Sequence, residues 1–275
     1  MPIAEFASTR LSYRLSGHGD PTVFVHGSLV DRSTWARVEP GLAQSLTVLS
    51  YDRRGHGEST GPLRVRPVRD DAHDLAGLLE TLDLFPVHVI AHSYGGAVAL
   101  RVAIDRPEMV RSLTMHEPPS IGLLEADPAT APEAERLLAG TQLVQEMVRQ
   151  GGREDAAREI VNAFSVEAGA WDRLAESTRA TLIGHLDRWS EEVSDPEATH
   201  PDPAELAELL VPVMLTTGER SPPFLHRTSA RLAECLRNVT VRDLPGAGHV
   251  PHLTQPDQFI ALVHGFLVER NVPVT

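Results

Sequence analysis

The stretch Val87-His88-Val89-Ile90-Ala91-His92-Ser93-Tyr94-Gly95-Gly96 constrains this chain more than any other. A β-branched, apolar run stops at a serine, small residues follow, and a helical pattern runs from Ala97 to Ile104. The spacing predicts a buried strand, a tight turn and a helix, with Ser93 at the apex. A serine so placed is lifted out of the sheet with its Oγ exposed, and the first N–H groups of the helix point at whatever it attacks. Strand and helix nearly touch at such a turn, so the flanking side chains must be small; Ala91 and Gly95 meet that need.

Around this segment, strand-like and helix-like runs alternate. Ser8–Ser16 reads as an edge strand, and Thr22–Val25, Leu46–Tyr51 and Val110–His116 as buried strands. Helices are expected near Arg32–Ser45 and Pro67–Leu82. Alternation of this kind implies an α/β fold with a mostly parallel sheet covered on both faces. From Glu117 to about Glu205 the strand signals vanish, and helices are expected near Glu133–Gln150, Glu154–Glu167 and Trp171–Val193. That stretch holds 19 acidic residues against 7 arginines, nearly all of the excess negative charge of the chain. Sheet signals then resume with Val211–Thr217 and Val239–Leu244, separated by a helix over Pro222–Leu236 and followed by one over Gln255–Val268. The organisation read from this is a core domain, 1–118 and 206–275, interrupted by a helical cap, 119–205.

Composition excludes several function classes. All 25 basic residues are arginine, so Schiff-base lysine chemistry, lysine-anchored pyridoxal phosphate and the phosphate-loop lysine are absent. A net charge of −13 argues against nucleic acid or an anionic membrane as partner. No apolar run approaches the roughly 20 residues needed to span a bilayer. The start Met1-Pro2-Ile3-Ala4-Glu5 lacks the features of a signal peptide, and the single Cys235 cannot form an internal disulfide. A cytoplasmic protein is the expectation. The histidines show no metal-ligand spacing, so no metal is expected, and attack by Ser93 requires no organic cofactor.

A serine hydroxyl needs a base. Of the thirteen histidines, His249 follows a strand through the flexible Pro245-Gly246-Ala247-Gly248 loop, which can hang an imidazole over the strand ends; His252 is its structural counterpart. An oxyanion needs donors. The N–H of Tyr94 is one, and the loop after the first buried parallel strand supplies the other from Ser28, with Leu29 as alternative.

These residues resemble the α/β-hydrolase superfamily. His26-Gly27 with Trp35 downstream, Asp52-Arg53-Arg54-Gly55-His56-Gly57, the Ser93 turn and Gly246-x-Gly248-His249 fall in the family order, although Ala91 replaces the first glycine of the usual Gly-x-Ser-x-Gly. The resemblance implies an eight-stranded, mostly parallel sheet flanked by helices, and an acid placed between the serine and the histidine in sequence. The family's usual acid follows the strand matching Val211–Thr217, but here the stretch reads Gly218-Glu219-Arg220-Ser221, with serine where the acid is expected. Glu117, at the end of the preceding strand, is the first candidate, because neighbouring parallel strands lie about 4.8 Å apart and some dehalogenases and lactone hydrolases of the fold carry their acid there. Glu219 is the second, and a structural role for Glu117 at the base of the cap is the third.

The remaining assignments concern surroundings. Asp52, Arg53 and His56 read as braces of a strand-end turn, and Asp31 as a helix anchor. Leu29, Trp35 and Trp189 are candidate pocket residues. His185, Arg188 and Trp189 share one helix, where a face packed on the sheet domain competes with a substrate face; Phe164, Trp171 and Leu174 carry the same ambiguity. A serine in place of the aspartate of dehalogenases implies an acyl-enzyme. The expected function is hydrolysis of a carboxylic ester or lactone of a small to medium, apolar molecule. Alternatives are a ligand-binding or receptor-like protein on the same scaffold, or a cofactor-free lyase, cyclase or perhydrolase.

Overall fold

The apolar runs Asp20–Val25 (β3), Leu46–Tyr51 (β4), Val87–His92 (β5), Val110–His116 (β6) and Val213–Gly218 (β7) form the middle of one sheet in a computed structural model that describes residues 2–6, 8–62 and 67–270. Ile3–Phe6 (β1), Thr9–Gly17 (β2) and Val239–Leu244 (β8) complete it. The order is β1-β2-β4-β3-β5-β6-β7-β8. β1 and β2 pair antiparallel with their neighbours, and every other pair is parallel. The ends of the expected core span, residue 1 and residues 271–275, lie outside the described residues.

Period-two alternation divides the strands between two cores. Val23, Val25, Val89 and Ala91 face helices Pro67–Thr81 and Tyr94–Asp105, packing with Leu75, Leu78, Leu79 and Val98. Phe24, Val48 and Ile90 face the other way, onto Trp35, Val38, Leu42, Phe259 and Val263. β5, at the centre, is buried along its whole length. A strand covered on both sides can end in a serine only where the chain leaves the sheet, and that places Ser93 at the rim.

Between β6 and β7 the described residues contain no strand. Helices Ala131–Arg149, Arg153–Ala163, Glu176–Gly184 and Leu186–Ser194 form a layer with its own apolar cluster of Ala156, Ala157, Ile160, Trp171, Leu182, Leu186 and Trp189. Leu29, from the loop after β3, packs into the same cluster, so the insertion docks on that loop.

Three expectations need correction. The helix over Arg32–Ser45 is instead a 3₁₀ turn, Arg32–Trp35, and a separate short helix, Glu39–Leu42, which has proline in its first turn. The helix over Trp171–Val193 is broken twice, into a 3₁₀ turn, Trp171–Arg173, and the helices Glu176–Gly184 and Leu186–Ser194; glycine at a helix end costs less than in its middle. The strand over Ser8–Ser16, found as β2, is not at the edge, because the short β1, which has no turn signal of its own, pairs outside it. No helix among the described residues is long and apolar enough to cross a membrane.

Candidate active site

The turn after β5 is tight because strand, helix and the β3 loop crowd together. Ser93 has φ 51° and ψ −124°, a region that L-residues rarely occupy. A Cβ on Gly95 would lie 2.3 Å from the Val25 carbonyl oxygen, and one on Gly27 would lie 3.1 Å from the Ser93 Cβ. Both glycines are therefore dictated by contact. Among the described non-glycine residues only Leu29, Asp83, Ser93 and Glu117 have positive φ. Three of those four lie at this rim, and strain of order 1–3 kcal/mol per residue concentrates where geometry serves function.

Sheet register brings the candidate acid alongside. His92 pairs with His116, the Ser93 N–H donates to the His116 carbonyl at 2.9 Å, and the Glu117 N–H donates to the Thr216 carbonyl at 3.2 Å. Ser93 and Glu117 thus leave adjacent strands at successive positions. Glu117 is buried, and its Oε1 accepts the Gly218 N–H at 2.8 Å. Its Oε2 lies 2.6 Å from His249 Nδ1. Burial alone would raise the Glu117 pKa, but the hydrogen bond from His249 and the charge of neighbouring His116 bring it down to about 2. It is ionised near neutrality, so it can only accept, and the proton of that bond resides on His249 Nδ1.

His249 is held on several sides. Its carbonyl accepts from His92 Nε2 at 2.7 Å, its ring lies 4.7 Å from that of His92, and the Phe164 ring from the insertion stacks on it at 4.7 Å. Its Nε2 and the Ser93 hydroxyl engage no protein group among the described residues, so no hydrogen bond joins Ser93 to His249 in this structure. Such bonds often tighten only in the Michaelis complex.

Glu219 plays a different part. Its carboxylate accepts the Gly246 N–H at 2.7 Å and so braces the loop that carries His249, without reaching the imidazole. Ser221, where an acid was expected, is buried, and its hydroxyl makes no hydrogen bond to a protein group among the described residues. A second carboxylate there would crowd like charge against Glu117, which accounts physically for a serine at that position.

The N–H groups of Ser28 and Tyr94 donate to no protein acceptor among the described residues, Tyr94 being the first residue of its helix. The Ser28 hydroxyl is engaged by Glu192 Oε2 of the insertion at 2.5 Å. Trp35 does not line a pocket: it has no exposed surface, stacks on Phe24 at 4.8 Å and belongs to the core beneath the sheet. Leu29 and Trp189 are buried together in the apolar cluster of the insertion. Asp52 accepts the N–H groups of Arg32 and Glu58 and Asp31 caps the following turn, both bracing roles. His252 is fully buried, its Nε2 on the Thr34 hydroxyl, and far-reaching burial pushes its pKa well below the usual value. The ligand atoms of His116, Glu117 and His249 lie within 4.8 Å of one another, close enough to hold a cation, though His249 Nδ1 is already engaged by Glu117 and His116 Nδ1 by Thr216.

Sequence reasoning missed Glu192, Asp71 and the reach of Arg53. Arg53 is fully buried and pairs with Asp71 and Glu192, while Arg188 pairs with the other oxygen of Asp71. The one signal available was a buried-type spacing of acids in two helices, which looks the same as a solvated face.

A sequence profile described as the alpha/beta hydrolase family matches residues 22–262. A 2-hydroxymuconate semialdehyde hydrolase from Pseudomonas sp. (strain CF600) is 27% identical, over 96% of this chain and 93% of its own length. Among solved structures, a thermophilic esterase from Thermogutta terrifontis superposes with a TM-score of 0.79 at 22% identity, covering 99% of this chain and 100% of that one. An enol-lactonase from Burkholderia xenovorans LB400 superposes with a TM-score of 0.75 at 21% identity, covering 97% and 100%. At these identities the two structures speak for the fold.

Proposed function

The chain belongs to the alpha/beta hydrolase family, and from that premise we propose that it is a serine hydrolase acting on a carboxylic ester or lactone through an acyl-enzyme. The observation that carries this reading is the 2.6 Å contact between a buried, ionised Glu117 and His249 Nδ1, beside a serine held at a strained strand end. With its proton on Nδ1, His249 has a free lone pair on Nε2. That nitrogen takes the Ser93 proton as Oγ attacks the carbonyl carbon. The N–H groups of Tyr94 and Ser28 receive the developing oxyanion, aided by the positive end of helix Tyr94–Asp105. His249 then protonates the leaving oxygen and deprotonates the water that releases the acid. Glu117 stabilises the imidazolium in both halves.

The inserted helices serve as a cap over this rim, with Phe164 as the apolar surface against the base. Their excess of acidic residues disfavours polyanionic substrates, and the favoured substrate is small to medium and apolar. The semialdehyde hydrolase acts, by its name, in hydrolysis, and this supports the hydrolytic part of the reading. A panel of p-nitrophenyl esters and simple lactones tests it against Ser93→Ala. Turnover that vanishes in the variant is expected; a panel with no turnover above the variant removes the proposal.

A further inference from the structure

We propose that Glu192, carried by the inserted helix Leu186–Ser194, is a positioning residue that completes the oxyanion hole by holding Ser28, directly and through Arg53. The inference rests on the serine-hydrolase reading above.

The donor in question is the Ser28 N–H, which shares a trans peptide plane with the Gly27 carbonyl. Whatever grips that carbonyl therefore aims the N–H in the opposite direction. Two groups grip it: Arg53 Nη2 at 2.9 Å and His26 Nδ1 at 2.8 Å. The His26 proton is fixed by its other nitrogen, since Nε2 accepts the Arg53 backbone N–H at 2.9 Å and so must be bare. Nδ1 is then the protonated nitrogen and donates to Gly27. A carbonyl gripped by a cation also polarises its own amide, which makes the Ser28 N–H a stronger donor.

Arg53 has no donor left for a substrate. Its Nε takes the His26 carbonyl, Nη1 takes Asp71 at 2.6 Å and Glu192 at 2.7 Å, and Nη2 takes Gly27 and, at 3.4 Å, His56. Its guanidinium also lies 4.6 Å over the ring of Tyr94, the residue bearing the second oxyanion donor. Arg53 is therefore a strut between the two sides of the hole.

A buried guanidinium stays in place only when its charge is compensated. Two cations, Arg53 and Arg188, share two carboxylates, Asp71 and Glu192, and all four are buried. Without Glu192, Arg53 would be left with Asp71 alone, which it shares with Arg188, while Arg188 would keep the partly exposed Glu191 as well. The two oxygens of Glu192 are divided: Oε1 goes to Arg53, and Oε2 accepts the Ser28 hydroxyl. One side chain of the insertion thus fixes the Ser28 peptide from both ends. Undocking the insertion would withdraw it, so the hole is complete only when the inserted helices are seated.

The test is the second-order rate of Ser93 phosphonylation by a fluorophosphonate in wild type, Glu192→Gln, Ser28→Ala and the double variant, each shown folded by near-ultraviolet circular dichroism. Glu192→Gln is expected to react about 10- to 100-fold more slowly and Ser28→Ala about 5-fold more slowly, less than loss of a whole oxyanion donor. The double variant should be no slower than Glu192→Gln, because the Ser28 hydroxyl acts only through its contact with Glu192. For any ester turned over, kcat should fall while KM stays within about 3-fold, a split that general loosening of the fold would not give. If wild type does not react, the hydrolase reading fails and this inference with it. If wild type reacts and Glu192→Gln reacts as fast, or the two single losses multiply in the double variant, this inference alone is overturned. Should Glu192→Gln not fold, Ser28→Ala decides: an unchanged rate refutes the proposal.

Discussion

Replacing Glu117 by Gln probes the account at its most specific point. The wild-type carboxylate divides its oxygens, Oε1 accepting from the Gly218 N–H and Oε2 from His249 Nδ1. A glutamine amide must keep its carbonyl oxygen on Gly218, since that backbone N–H can only donate. Its NH₂ then faces His249 and requires Nδ1 to accept, which moves the imidazole proton to Nε2, the atom that must take the Ser93 proton. The carboxylate sets the scale: its pKa falls from 4.5 to about 2 despite burial, a net stabilisation of the ionised form by all its partners of about 3 kcal/mol. With the wrong tautomer added, kcat should fall about 10³- to 10⁴-fold. KM should change little, because Glu117 is buried and contacts no open space. Initial rates on the best ester of the panel measure this, with Glu219→Gln as control. That control should stay within about 3-fold of wild type, as Glu219 only braces Gly246. A Glu117→Gln enzyme within 10-fold of wild type, or a more severe Glu219→Gln, would refute the reasoning.

Two further outcomes follow from the same structure. Trp35→Ala should cost about 3–5 kcal/mol in urea unfolding while leaving KM unchanged, since Trp35 fills the core on Phe24 and not a pocket; a raised KM with unaltered stability would restore it to the substrate site. Acid should destabilise the fold early. Burial lowers the pKa of His116 and His88 to about 4 and those of His26, His56, His92 and His252 well below 6.5. Each is neutral when folded but protonates near 6.5 once unfolded, so its contribution is complete above 6.5 and is lost as pH falls toward 4, at about 1.4 kcal/mol per pH unit per group. Denaturant midpoints measured from pH 7 to pH 5 should drop steeply; a flat profile would contradict buried neutral imidazoles.

How much was legible in the sequence depended on how local the cause was. The Ser93 turn could be read because a β-branched run, a serine and two glycines each impose a backbone requirement within a few residues. His249 was legible from its glycine loop, and the approach of Glu117 from strand spacing together with the family resemblance, which left serine at the usual acid position; the register that sets the two side by side shows only in the structure. Trp35 misled because an aromatic near a strand end looks alike whether it faces a pocket or a core; only the period-two partition that puts Phe24 opposite Val23 and Val25 decides it. The charge network was not legible at all. Arg53 and Glu192 are 139 positions apart, and nothing near either residue marks it as buried. The break at Gly184 was not legible either: Leu182 and Leu186, on either side of it, pack into one cluster.

The central claim is that the hydroxyl of Ser93 is made nucleophilic by His249. Peptide mass mapping after treatment with a fluorophosphonate measures this directly, in wild type and in His249→Ala. The account predicts a single adduct on the peptide bearing Ser93, formed quickly in wild type and negligibly in the variant. An adduct at another residue, or one formed on Ser93 at the same rate without the imidazole, would contradict it.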